Sequence, residues 1–206
     1  SAFDEERITR SPYQKFQLIE KIVEIEVLSE KELELLRNHD LGGNESLQRI
    51  RDIFIFSCYT GLRYIDAMRL SPVDIHEDEV GRCWIYLIQQ KTQTRVYIPM
   101  LDFAKEIYDQ YEAEREKTGK ILPKISNQKV NAYLKTVATL ANIKKNLTHK
   151  VARHTFATTI LLDNSVPIDT VAKYLGHNNL KSTRRYAKYT KKHLSQYADK
   201  LDKKLK

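Results

Sequence analysis

Residues 175–190, LGHNNLKSTRRYAKYT, gather one histidine, a run of bases and two tyrosines, Tyr186 and Tyr189, three residues apart. A free phenol stays protonated at neutral pH, and neighbouring guanidinium groups favour its phenolate. Such a grouping suits attack on a phosphodiester. Without a metal, that reaction needs a nucleophile and fixed cations on the non-bridging oxygens. It also needs a proton donor for the leaving oxygen and an acceptor for the nucleophile's proton. Arginine suits the oxygens because its planar fork stays charged and binds two at once. Tyrosine suits the attack because a phosphotyrosyl ester keeps the broken bond's energy for a second transfer.

Other stretches offer the remaining parts. Arg63, in TGLRYID, follows a helix-ending glycine, a place where a side chain emerges at a concave surface; it equally suits an ion pair with Asp66 at a helix start. Lys91 sits at the tip of a KTQT turn, which delivers one ammonium into a groove or leaves it solvated. In THKVARHTFATTIL, His149, Lys150, Arg153 and His154 crowd the first turn of an otherwise apolar helix. Free amides there favour anions, so an anionic ligand would offset the cations. A basic, solvated cap with one histidine folded into the core is the alternative. Lys150 and Arg153 are i, i+3 neighbours and share a face. His177 follows Gly176 and precedes Tyr186 by nine residues. Taken singly, His177, Tyr186 and Tyr189 each fit packing roles.

The chain that must position these groups has 206 residues, the size of one domain with a real core. Its 35 Lys and Arg against 27 Asp and Glu give a net charge of +8, which suits a polyanionic partner, either nucleic acid or an acidic membrane surface. Cys58 and Cys83 lie outside any C-x-x-C spacing, which argues against a zinc ribbon or a disulfide scaffold and suits a reducing cytoplasm. No stretch approaches about eighteen apolar residues, and no secretory pattern opens the chain, so a cytoplasmic protein with no membrane partner is expected.

Residues 1–28 carry mixed charge with poor periodicity and read as a linker, the tail of an upstream domain, with the folded unit at 29–206. Ser29 and Glu32 form a capping box that Leu28 and Leu33 can staple. Residues 47–61 predict a buried helix closed by Gly61, and a short helix runs on to Leu70 before Ser71-Pro72. Residues 83–89 and 95–98 are β-rich runs flanking KTQT, hence a hairpin ended by Pro99. Helical periodicity returns over 101–117, 127–141, 151–163, 168–175 and 191–205. The expected fold class is mainly α with a small antiparallel β-sheet (α+β).

Taken as a set, TGLRYID, the hairpin KT, a basic residue-x-x-RHTFAT, and LGH with a tyrosine nine residues on resemble the catalytic domain of the tyrosine recombinases, the phage-type integrases. The likeness runs from about Ser29 to the C-terminus. It implies site-specific DNA cleavage and rejoining through a 3′-phosphotyrosyl intermediate, as in integration or excision of a mobile element. It implies no metal and no cofactor, because bond number and type are unchanged. Double-stranded DNA is the implied partner, with a homotetramer on DNA, a monomer for this chain alone, and a bacterial nucleoid location.

By position, the resemblance makes Arg63 and Arg153 the phosphate clamps, Asp66 a supporting acid, and Lys91 the proton donor to the leaving 5′ oxygen. It makes His177 a hydrogen-bond partner of the phosphate and Tyr186 the nucleophile, with Tyr189 a packing residue or a neighbour of the DNA. The family usually shows His-x-x-Arg before HTFAT, whereas this chain has Lys150-Val-Ala-Arg153. Lysine is a poor proton acceptor at neutral pH unless desolvated or set among cations. Such cationic neighbours are present here, so Lys150 is the expected site residue, its role as base left open, with the off-register His149 as its alternative. Arg95, Lys145 and Arg184 are expected to contact DNA. Within the resemblance, a type IB-like topoisomerase and a non-catalytic DNA-binding module are the rival readings.

Overall fold

The computed structural model describes residues 25–187, together with 198, 199, 201, 202 and 205. Most of the expected linker, Tyr189 and most of the helix expected over 191–205 lie outside the described residues. Helix α1 (Glu30–Asn38) begins as its capping box requires: the Ser29 hydroxyl accepts from Glu32 N, and the Glu32 carboxylate accepts from Ser29 N at 2.8 Å. Leu28, counted with the linker in the sequence reading, is instead fully buried. Its N–H donates to Thr155 Oγ1 at 3.0 Å and its carbonyl accepts from Thr159 Oγ1 at 2.5 Å, so its backbone polar groups are satisfied inside the core.

Helix α2 (Glu45–Thr60) is capped by Asn44 and buries Ile50, Ile53, Phe54, Ile55, Phe56 and Cys58 around nearly its whole circumference. A helix apolar on all sides must lie at the centre, and α2 packs against α1, α4, α6 and α7. It stops at Gly61, whose φ of 67° and tight contact with Phe156 exclude a side chain. The chain then turns directly into α3 (Tyr64–Arg69), with Arg63 as its N-cap.

A 3₁₀ turn at Pro72–Asp74 leads into an antiparallel sheet of order β1-β2-β3: Ile75–Glu77, Cys83–Ile88 and Arg95–Pro99. The expected hairpin is β2-β3. Strand β1 is an addition; three residues are too few to show alternation, but Ile75 opposite Ile85, and Ile85 opposite Ile98, extend one apolar row across the sheet. Ile85, Gln89, Val96 and Ile98 face inward and are buried, while Ile88, Arg95 and Tyr97 are exposed.

The single helix expected over 101–117 is two, α4 (Asp102–Gln110) and α5 (Glu112–Thr118). They part at Tyr111, whose buried hydroxyl donates to Asp52 Oδ2 of α2 at 2.9 Å. Helix α6 (Asn127–Leu140) follows. Helix α7 (His149–Thr155) runs on through a π-helical stretch, Phe156–Leu161, and a 3₁₀ turn, Leu162–Asn164. Helix α8 (Ile168–Leu175) packs on β3 and ends at Gly176, and a short α9 (Leu180–Arg184) leads to Tyr186. The fold is mainly helical with one small antiparallel sheet. Among the described residues, no helix is long and apolar enough to cross a membrane.

Candidate active site

One open cleft of about 590 Å³ is lined by Arg63, Lys91, Lys150, Arg153, His177 and Tyr186, which come from five separate places in the chain. Arg63 reaches it because α2 ends at Gly61 and the chain reverses. Lys91 reaches it from the β2-β3 turn. Lys150 and Arg153 share one face of α7, and His177 and Tyr186 flank α9. His149, His154 and Arg185 also reach the lining.

Arg153 is only 8% exposed. Its Nη1 donates to the Gly61 carbonyl at 2.8 Å and its Nη2 to the Leu175 carbonyl at 2.5 Å, with Nη2 also 3.3 Å from His177 Nε2. Guanidinium offers five donors, so others remain for a ligand. Burial, and then the like charge of Arg63, push its pKa down to about 10, while Tyr186 and Asp66 pull the other way. Arg63 donates to Gln89 Oε1 at 2.5 Å. Both arginines are thus oriented by neutral oxygens, and among the described residues no carboxylate forms an ion pair with either.

His177 has its Nδ1 2.8 Å from the buried Thr183 hydroxyl. Since Arg153 can only donate, Nε2 is the acceptor and Nδ1 carries the proton in this arrangement. Burial and the neighbouring Arg153, Arg63 and Arg185 push its pKa down to about 4. The Tyr186 ring, 6% exposed, lies nearly parallel to the His177 ring at 6.4 Å and tilted to His154 at 5.5 Å, with the Arg185 guanidinium 5.7 Å from its centroid. Burial, with Lys150 and Arg185 next, lowers the His154 pKa to about 4.

Position along α7 separates Lys150 from His149. Lys150 is exposed to the cleft. His149, about 100° away around the helix, is 4% exposed and sits edge-on to Tyr64. Ser57 donates its hydroxyl proton to the Ile53 carbonyl, so His149 Nε2, 2.8 Å from Ser57 Oγ, is the donor there. Burial lowers the His149 pKa to about 4. Its Nε2 is therefore committed to the core.

Asp66 is outside the cleft lining and 2% exposed, with Oδ1 accepting from Gln90 N at 2.8 Å. Its Oδ2 takes no hydrogen bond among the described residues and acts through charge, favouring protonated Arg153. The other expected DNA contacts lie apart from the lining. Arg95 is exposed on β3, and Arg184 is exposed while its neighbour Arg185 reaches the cleft. Lys145 is engaged elsewhere: its Nζ bonds Glu32 at 2.5 Å and the Val27 carbonyl at 2.8 Å, fastening the start of the domain.

Gln89 and Thr183 are parts of the site that the sequence reading did not single out, and His154 was noted there among the bases of its helix without a role of its own. For Gln89 a signal exists. Alternation along β2 puts residues 85, 87 and 89 on the core face, where a glutamine must have polar partners.

Compared with known proteins, residues 26–193 match the model of the phage integrase family. The tyrosine recombinase XerD of Halalkalibacterium halodurans is 28% identical over 178 residues, covering 80% of this chain and 57% of that protein. The tyrosine recombinase XerA of Thermococcus onnurineus is 29% identical over 162 residues, 74% and 55% of the two chains. The chain therefore spans a little over half the length of these curated relatives. Among solved structures, a XerA recombinase gives a TM-score of 0.67 at 21% identity over 85% of this chain and 64% of that one. The Tn1549 transposon integrase in complex with transposon right end DNA gives 0.66 at 18%, over 98% and 74%. These likenesses show the shared fold. With the family model matched over most of its length, the chain belongs to the phage integrase family.

Proposed function

We propose that this chain is the catalytic part of a site-specific DNA recombinase that cleaves and rejoins strands through a 3′-phosphotyrosyl intermediate. The observation that carries the reading is the convergence of Arg63, Lys91, Lys150, Arg153, His177 and Tyr186 on one cleft. Tyr186 Oη attacks the scissile phosphorus and passes its proton to the amine of Lys150. The P–O5′ bond breaks, and Lys91 gives the departing O5′ its proton. Attack by a 5′ hydroxyl of a partner strand reverses the step, so bond types are conserved overall. Arg63 and Arg153 hold the non-bridging oxygens as negative charge develops.

His177 approaches the same phosphate through Nε2. Donation from that atom needs the other tautomer, and the Thr183 hydroxyl permits it because it can donate to Nδ1 as well as accept from it. His149 keeps its place in the core and supports α7. Four protomers acting on two duplexes would exchange strands in pairs.

The test is covalent capture. The full chain is incubated with a pool of nicked DNA duplexes, in which the cut fragment diffuses away and traps the adduct. Denatured protein is then sized. Wild type is expected to yield a protein–DNA adduct and Tyr186→Phe none. No adduct with wild type, or equal adduct with both, overturns the reading.

A further inference from the structure

Gln89 lies just past the end of β2, fully buried, and touches three parts of the cleft at once. Its Oε1 accepts from Arg63 Nη1 at 2.5 Å and from the Thr92 hydroxyl at 3.0 Å. Its Nε2 donates to the Leu175 carbonyl at 3.1 Å, the same oxygen that receives Arg153 Nη2. The amide's orientation is forced: a guanidinium donates only, a carbonyl accepts only, and a flipped amide would face donor to donor. Gly176 has its φ at +63°, and a Cβ there would stand 2.6 Å from Gln89 Oε1. The backbone after α8 thus lies directly against this amide. The next backbone amide along the turn, Gln90 N, is held by Asp66 Oδ1.

We infer that Gln89 is a positioning residue that registers the Lys91 turn against the two arginines, so that the proton donor and the phosphate clamp meet one phosphodiester in fixed geometry. The inference rests on the recombinase reading and deepens it. Between Gln89 and Lys91 there is a single residue, and the Thr92 hydroxyl closes the turn back onto the amide. Replacing the amide with an apolar side chain of similar length removes the bond to Arg63, the tie to Thr92 and the donor to Leu175. Lys91 then loses its fixed approach to the leaving oxygen.

The leaving oxygen offers a way to read this separately from folding. In a DNA whose scissile 5′-bridging oxygen is replaced by sulfur, Tyr186 attack breaks P–S5′ and releases a thiolate, which departs without a proton because thiols are far stronger acids than alcohols. Adduct formation is measured in single turnover for wild type, Gln89→Met and Lys91→Ala, on ordinary and sulfur-bridged duplexes captured as above. Gln89→Met is expected to slow ordinary cleavage by about 10²-fold, the scale of a lost general acid, and to recover at least about tenfold on the sulfur substrate.

An unchanged ordinary rate, or the same sulfur-to-oxygen rate ratio as wild type, overturns the proposal, since a merely structural or clamp-only role slows both substrates alike. Thr92→Val, an exposed change that removes only the hydroxyl tie, is the second variant should Gln89→Met fold poorly. It is expected to raise the same ratio severalfold, and an unchanged ratio overturns the proposal. Failure of the underlying reading shows elsewhere: wild type would form no adduct on either substrate, or Lys91→Ala would gain nothing from sulfur.

Discussion

A single methyl group at Gly61 is expected to damage both fold and chemistry, in amounts the geometry sets. A Cβ built there stands 2.2 Å from Phe156 Cδ1, 2.8 Å from Cε1 and 3.0 Å from Cγ. Phe156 is fully buried, so its ring has no solvent to retreat into. Overpacking of this kind costs about 1–3 kcal/mol, and a left-handed alanine adds about 1 kcal/mol. Gly61→Ala should therefore lose about 2–4 kcal/mol, which lowers the melting midpoint by about 4–16 °C for a chain of this size. Gly119→Ala is the control: its φ is +65°, yet nothing lies within 4 Å of the added methyl, so only the backbone cost of about 1 kcal/mol applies. The Gly61 carbonyl also anchors Arg153 Nη1. At a temperature where both variants are folded, Gly61→Ala should slow adduct formation while Gly119→Ala should not. Urea titrations of the two supply the stabilities. Equal losses in the two variants would refute the packing argument, and an undiminished cleavage rate in folded Gly61→Ala would refute the link to Arg153.

Arg63→Ala and Arg153→Ala should each reduce adduct formation by about 10²–10³-fold or more with DNA retention by gel shift largely kept, if each stabilises transition-state charge; a loss confined to DNA retention would contradict this. Lys150→Ala should slow cleavage while leaving the unfolding midpoint nearly unchanged. His149→Ala should cost about 1–3 kcal/mol of stability by removing the partner of Ser57, and comparable cleavage rates for Lys150→Ala and wild type would remove Lys150 from the mechanism. Stability should also depend on pH. The His149 pKa is pushed down to about 4 in the fold, so the unfolded chain binds its proton first. Stability is then full above the ordinary value of about 6.5 and is lost as pH falls toward 4, by up to about 3 kcal/mol from this residue. His154 and His177 shift in the same direction. Urea midpoints from pH 7 to pH 4.5 check the slope, which should be shallower in His149→Gln; an identical slope would mean His149 does not contribute.

Local signals carried the elements that end at glycines or begin at caps. Ser29 with Glu32, Gly61 and Gly176 are legible because each depends on a backbone requirement that only a few residue types satisfy, and the 83–98 hairpin is legible because two β-rich runs flank a polar turn. The break at Tyr111 was not legible, since no glycine or proline marks it and its cause is a hydrogen bond to Asp52, 59 positions away. Strand β1 was too short to show a period. In the cleft, the motifs taken as a set, through their resemblance to the tyrosine recombinases, named the six lining candidates, but the sequence could not say what each one touches. Lys145 was expected to contact DNA, and only the fold brings Glu32, 113 positions away, to it. The burial of His149 against the exposure of Lys150 depends on the rotation of α7 about its axis, which is set by α2 and Tyr64 rather than by the local sequence. Gln89 is the one omission that alternation alone could have exposed.

Because Arg63 and Arg153 are oriented by an amide and by main-chain oxygens, with only the buried Asp66 partly offsetting them through charge, their positive charges repel one another and oppose the packing that brings them together. A polyanion that settles between them removes that opposition and binds the folded form more tightly than the unfolded chain, so it acts as a stabiliser in proportion to that difference in affinity. Heparin, or duplex DNA of any sequence, should therefore make the protein harder to melt, most strongly at low ionic strength, and the Arg153→Ala variant should respond less.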